Sequence, residues 1–209
     1  MLETTGRVLH NPMCYDFTVW LFTGGKERRF RERVVSLADL ASGEAVLDIG
    51  CGTGSQAIAA KRRVGADGSV KGLDASPEML DRARAKARKT GAAIQFELGT
   101  AEALPYRDGQ FDVVLSIVMM HHLPKKARAT SIAEVRRVLK PGGRFLVLEF
   151  EGTAEQSKGL VSQIRRHKHG HVANKDMLQT LEAMGLSVEK SGAVGLGDMH
   201  FTLATAPCR

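Results

Sequence analysis

Three glycines on alternate positions, Gly50, Gly52 and Gly54, close the apolar run Val46-Leu47-Asp48-Ile49, with Cys51 and Thr53 between them. A strand that ends in such a turn and passes into a helix strips side chains from the turn. Backbone N–H groups and the positive end of the helix dipole then meet at one spot. That spot can hold a dinucleotide pyrophosphate, or the carboxylate, ribose and sulfonium of S-adenosylmethionine. A second acid, Asp74, lies 20 residues past Gly54, where both ligand classes place a carboxylate on ribose hydroxyls. Two details favour the methyl donor. The glycines follow Gly-x-Gly-x-Gly rather than Gly-x-Gly-x-x-Gly. Asp48 at the lip would repel a pyrophosphate but could receive the ammonium of a methionine moiety. Farther along, His121-His122 within Met119-Met120-His121-His122-Leu123 could move a proton near neutral pH.

These residues need a scaffold, and the apolar pattern supplies one. Residues 46–49, 69–74, 93–98, 111–117 and 144–150 read as strands; helices are predicted from about 54 to 63, 76 to 91 and 125 to 139. Ser76-Pro77-Glu78 is a helix start, with N-cap, first-turn proline and first-turn acid. Pro141-Gly142-Gly143 is a helix stop. The tail adds a helix near 175–184 and strands at 187–191 and about 200–206. Alternation of this kind gives right-handed βαβ units around a parallel sheet, with the ligand at the carboxyl ends of the strands. Residues 1–43 are expected to form a helical segment or lid ahead of a domain spanning 44–209.

Composition narrows the class. With 43% hydrophobic and 25% charged residues the chain is of ordinary globular make-up, and no apolar run reaches the ~18 residues a membrane span needs. The start lacks a basic region followed by an apolar run, so no secretory signal is expected. Cys14, Cys51 and Cys208 are odd in number and scattered, which suits a reducing, cytoplasmic compartment and gives no metal spacing. The net charge of +7 rests on clusters at 26–33, 61–63, 82–89 and 165–171. Solvated helix faces explain them, and so would an anionic partner such as nucleic acid or a phospholipid surface.

The motifs resemble those of the class I S-adenosylmethionine-dependent methyltransferases. The likeness is strongest to the branch with the ubiquinone/menaquinone biosynthesis C-methyltransferases and small lipid methyltransferases. It is carried by Val46-Leu47-Asp48-Ile49-Gly50-Cys51-Gly52-Thr53-Gly54, Gly72-Leu73-Asp74-Ala75-Ser76-Pro77-Glu78-Met79-Leu80, Ala101-Glu102-Ala103-Leu104-Pro105-Tyr106, Phe111-Asp112-Val113-Val114 and Val138-Leu139-Lys140-Pro141-Gly142-Gly143-Arg144, in family order. The fold implied is a doubly wound, mostly parallel seven-stranded α/β sheet, Rossmann-like, with an antiparallel last strand. The cofactor implied is S-adenosylmethionine, leaving S-adenosylhomocysteine as product.

Residue by residue, the resemblance places Asp48, Gly50, Cys51, Gly52 and Thr53 around the methionyl and ribose part. It puts Asp74 on the ribose hydroxyls and Ala75 on the adenine. Thr100 and Ala101 would edge the adenine ring, and Ser116 would meet the methionine side. Thr100 departs from the pattern, because many relatives carry Asp or Asn there; a hydroxyl can still accept the adenine amino hydrogen. Tyr15-Asp16 resembles the Tyr-Asp ahead of this domain in quinone methyltransferases, where Tyr15 would approach the sulfonium. A base is needed only for an acceptor that must lose a proton, such as a phenol or carbon acid; the candidates are His121 and His122. Their alternative is a loop residue and a strand cap.

The expected acceptor is small or lipid-like: a phospholipid head-group amine, a quinone precursor or a natural-product phenol. A non-enzymatic S-adenosylmethionine-binding sensor or partner subunit is the competing class. An RNA methyltransferase ranks lower, because the place after the fourth strand lacks the Asn/Asp-Pro-Pro-aromatic turn that grips a flipped base. Val19-Trp20-Leu21-Phe22 followed by the 26–33 cluster suggests peripheral contact with an anionic membrane. Its alternative is that Phe30, Val34 and Leu37 dock on the sheet while Trp20 covers the pocket. Only 35 residues separate Phe150 from Leu186, where quinone methyltransferases place a longer insertion. Arg165-Arg166-His167-Lys168-His169-Gly170-His171 falls in that stretch, and no carboxylate or cysteine completes a metal set there. Oligomeric state is not legible.

Overall fold

The computed structural model describes residues 4–150 and 174–208. Two helices, α1 (Pro12–Phe22) and α2 (Glu27–Leu37), precede β1 (Ala45–Ile49), α3 (Ser55–Val64), β2 (Ser69–Asp74), α4 (Pro77–Thr90), β3 (Gln95–Leu98) and β4 (Phe111–Ile117). A short 3-10 turn at Met120–His122 leads to α5 (Lys125–Val138) and β5 (Leu139–Phe150), then α6 (Asn174–Ala183), β6 (Ser187–Ala193) and β7 (Met199–Thr205). The sheet order is β3-β2-β1-β4-β5-β7-β6, with β7 antiparallel to both neighbours and the remaining pairs parallel. The order therefore reverses between β1 and β4, which opens a crevice at their carboxyl ends.

Alternation along the strands splits the core in two. Val46, Val113, Leu115 and Leu146 face α2, α3 and α4 with Val34, Ala57, Ala60 and Leu80. Leu47, Ile49, Val114, Phe145 and Val147 face α5 and α6 with Ile132, Val135 and Leu181. Both faces are thus covered, as near-continuous apolar parallel strands require. Asp48 shares the parity of Val46, so the strand register itself aims it to the α3 face.

Ser76 caps α4 as its sequence predicts, its hydroxyl accepting from the Met79 N–H at 3.3 Å. Of the boundaries that differ from the sequence reading, two have a local cause. β3 begins at Gln95, two residues late, because left-handed Gly91 closes α4 and Ala92 N–H turns back to the Ala87 carbonyl. β5 begins at Leu139 instead of 144: Pro141-Gly142-Gly143 ends α5 but remains in the sheet. Leu139 pairs with Phe111, and a register shift between Phe111 and Val113 absorbs the extra residues.

Candidate active site

The cleft at the β1–β4 reversal is bounded by Gly50, Gly52, Asp74, Ala75, Thr100, Ala101 and His122, with Tyr15 and residues 4–9 over them. The glycine turn follows β1 with positive φ at all three glycines, 65°, 52° and 78°, a region that L side chains enter at a cost. Space is as tight as torsion. A Cβ on Gly54 would lie 2.8 Å from the Ala83 Cβ, and one on Gly50 would strike the Met119 side chain. The Tyr15 ring stands 3.5 Å from the Cβ position of Gly52.

Asp74 ends β2 at the cleft. Its Oδ2 accepts the Gly52 N–H at 2.8 Å and its Oδ1 the Ser76 N–H at 2.9 Å. These bonds fix the carboxylate to the turn while each oxygen keeps lone-pair capacity for a further donor. Burial raises its pKa, against the pull of those N–H groups. Asp48, 1% exposed, is pushed up to about 7 by burial, which outweighs the nearby Arg31 guanidinium. Its Oδ2 has no hydrogen-bond partner, and neither has the buried Ser116 Oγ at the end of β4. The two lie on opposite faces of the sheet near the carboxyl ends of β1 and β4, so the fit test for the methionyl part of S-adenosylmethionine rests on Asp48, whose orphaned oxygen would accept from its ammonium.

Of the residues singled out in the sequence, Tyr15, Gly50, Gly52, Asp74, Ala75, Thr100, Ala101 and His122 line the cleft together. Asp48 and Ser116 are buried and line no part of it. Cys51 packs inward, its Sγ 2.9 Å from the Cβ position of Gly72, and burial lifts its thiol pKa well above the usual range. Thr53 turns its hydroxyl away, donating to Asp16 at 2.6 Å. Lys86 joins them, its Nζ reaching Asp16 at 2.7 Å and Thr53 at 2.8 Å. Burial acts to raise Asp16, but these hydrogen bonds prevail and hold it below its ordinary pKa. The result is a polar latch between α1, the glycine turn and α4. The sequence pairs Tyr15 with Asp16 but gives no sign of Lys86.

His121 and His122 separate by depth. The His121 side chain is 5% exposed, with Nδ1 2.7 Å from Glu149 Oε2. Glu149 Oε1 accepts the Met120 N–H at 2.6 Å, so one β5 carboxylate pins the whole turn. His122 faces the cleft, its ring centroid 3.9 Å from that of His121. Val118, at the start of this loop, has φ +55°, a strained state for a β-branched residue of the kind that gathers at working sites. Sequence reading missed Glu149, although an acid in the middle of the apolar Leu146–Phe150 stretch is its one visible signal.

With Tyr15, Met119 and residues 4–9 in place the cleft has a free volume of about 100 Å³, less than the ~300–1,000 Å³ of typical ligand pockets. Its roof is made of unbranched Met119 and the N-terminal segment, neither of them part of the sheet. A larger concavity, about 920 Å³, lies among α2, α3 and α4, lined by Arg28, Arg62, Arg63 and Lys89. It has no glycine turn and no strand end. Among the described residues no group of His, Cys, Asp and Glu could hold a metal; the 165–171 stretch lies outside them.

Asp48 yields a pH prediction. A carboxyl raised to about 7 keeps its proton in the fold at pH values where the unfolded chain has lost it. The fold therefore loses stability as pH rises from the ordinary carboxylate range through about 7. Asp48→Asn is expected to remove this slope, so its melting temperature should overtake that of the native protein between pH 5 and 8. Parallel melting curves over that range would mean that Asp48 is charged in the fold.

The comparisons agree with this geometry. Residues 46–143 match the methyltransferase domain family. The chain is 34% identical over 166 residues to the ubiquinone/menaquinone biosynthesis C-methyltransferase of Marinomonas sp. (strain MWYL1), covering 78% of this chain and 64% of that protein. It is 38% identical over 151 residues to the demethylmenaquinone methyltransferase of Thermus thermophilus, covering 72% of this chain and 67% of that one. The chain thus spans about two thirds of the length of these relatives. The crystal structure of a SAM-dependent methyltransferase from Aquifex aeolicus superposes with a TM-score of 0.76 at 20% identity, over 94% of this chain and 99% of that one, which shows the fold. With the glycine turn and Asp74 at one sheet reversal, and with relatives of this identity and coverage, the chain belongs to the class I S-adenosylmethionine-dependent methyltransferases.

Proposed function

We propose that the protein methylates a quinol- or phenol-like ring, with His122 removing the proton that makes the ring electron-rich. The observation that carries this is a cleft-facing His122 whose ring lies against that of His121 at 3.9 Å, tilted by 47°, with the His121 imidazole held by buried Glu149. Bound S-adenosylmethionine supplies an electrophilic methyl group. Asp74 holds the ribose end, Thr100 and Ala101 edge the adenine, and Asp48 with Ser116 receives the methionine end. Tyr15 and Met119 close over the glycine turn and exclude water.

An amine acceptor carries a usable lone pair once neutral, whereas a phenol or carbon acid must be deprotonated as it reacts, which gives a fixed imidazole a purpose. Holding the acceptor in line with the methyl group supplies much of the remaining acceleration, roughly 7–11 kcal/mol for well-oriented partners. Relatives named for quinone biosynthesis support the same acceptor class. The test is S-adenosylhomocysteine formation with a reduced naphthoquinol, a simple naphthol and phosphatidylethanolamine in parallel. The quinol or naphthol should turn over fastest. Faster turnover of the amine would replace this reading with head-group methylation.

A further inference from the structure

Helix α1 turns its large apolar side chains outward, the wrong way round for a helix docked on a core. Its inward face is polar or half-buried, with Tyr15 over Gly52 and Asp16 bonded to Thr53, Lys86 and Arg82. Its outward face carries Met13, Phe17, Trp20 and Leu21, exposed by 75%, 61%, 54% and 63%. Four of the five large hydrophobic residues exposed among the described residues are on this one helix. The spacing 13, 17, 20, 21 places them on one stripe, and the Phe17 and Trp20 rings stack at 6.0 Å. Trp20 lines no part of the cofactor cleft, so covering the pocket does not account for it. Phe30 and Val34 of α2, by contrast, are buried and dock on the sheet.

From this arrangement we infer that the outward stripe of α1 seats on an anionic membrane surface. The helix has 11 residues, about 16 Å at 1.5 Å per residue, too short to cross a ~30 Å hydrocarbon layer and suited to lying in its interface. Charge decides the lipid. Lys26, Arg28, Arg29 and Arg33 follow the stripe and are exposed, and Arg7 precedes it. Within the 26–33 run Arg28 pairs with Glu32 at 2.8 Å. The chain as a whole carries +7. A second copy pairing through α1 would set cationic flanks against each other, in either helix direction, so an anionic bilayer is the better occupant. Seating there would bring the mouth of the cleft to the lipid phase, because the inward face of the same helix roofs the glycine turn. Binding does not depend on the acceptor proposed above, and its test needs no turnover.

Trp20 is the single tryptophan, so its emission reports the stripe directly in the native protein. Vesicles of equal parts phosphatidylglycerol and phosphatidylcholine should shift the emission to the blue. Lipids with brominated chains should quench it, and the protein should sediment with the vesicles. Raising the salt to about 1 M, where the Debye length falls to about 3 Å, should release it. Phe17→Ser with Leu21→Ser, and separately Arg29→Glu with Arg33→Glu, should each weaken partition at least tenfold; all four side chains are exposed, so circular dichroism should be unchanged. Unaltered emission and a soluble protein with anionic vesicles at low salt would overturn the proposal. Equal binding to pure phosphatidylcholine would overturn the role of charge. A blue shift that grows with protein concentration in the absence of lipid, with sedimentation as a dimer, would assign the stripe to a second copy instead.

Discussion

His122→Ala is expected to lower kcat for a phenolic or quinol acceptor by about 10²–10⁴-fold, the usual worth of a positioned acid or base. The dissociation constant for S-adenosylmethionine should stay within about twofold, because in the proposed mechanism His122 serves the acceptor and Asp74 the cofactor. Added imidazole should restore part of the rate to the variant, which a merely structural histidine would not allow. Glu149→Gln should act through position. It leaves a hydrogen-bonding group beside His121 and the Met120 N–H, now bonded at 2.7 and 2.6 Å, but removes the charge. A smaller loss than in His122→Ala follows. Full activity in His122→Ala would assign the histidine pair to the fold alone.

Asp74→Ala is expected to weaken S-adenosylmethionine binding by at least ten- to a hundredfold. Hydrogen bonds to a charged group contribute about 1.5–3 kcal/mol each, and a factor of ten corresponds to about 1.4 kcal/mol. The loss has a second source. Without the carboxylate the Gly52 and Ser76 N–H groups, bonded at 2.8 and 2.9 Å, lose their acceptor and the glycine turn loosens. Asp74→Asn keeps one acceptor oxygen and should bind better than Asp74→Ala. Thr100→Ala should cost less than either, since it removes a neutral hydroxyl. Calorimetry that returned the native affinity for Asp74→Ala would take Asp74 out of the site.

How much of this was legible beforehand differs by kind of residue. The glycine turn, Asp74 and the α4 cap are local devices, each written within a few consecutive residues, and the parallel sheet with helices on both faces followed from βαβ alternation. The two orphaned groups, Asp48 and Ser116, could be named but not seen as orphaned, because that depends on what packs over each of them on opposite faces of the sheet. The latch was opaque: Asp16 and Lys86 lie 70 residues apart, and only the seating of α1 on α4 joins them. Glu149 was missed for the same reason, since strand periodicity says which face it takes but not that His121 turns back to meet it. The division of labour between His121 and His122 is likewise a matter of burial, and adjacency in the chain hides it. The apolar tetrad of α1 left two readings open, membrane contact or a cover for the pocket, and the sequence alone does not tell that Trp20 and Leu21 stand in the open.

The most direct test is where the cofactor sits, because the larger concavity among α2, α3 and α4 offers more room than the cleft at the sheet reversal. Amide hydrogen exchange followed by mass spectrometry, with and without saturating S-adenosylhomocysteine, distinguishes the two. Binding at the reversal predicts slowed exchange at residues 50–54, 75–79 and 100–103, with residues 28–36 and 58–63 unchanged. Protection confined to 28–36, 58–63 and 86–90, or none at the glycine turn, would contradict the assignment.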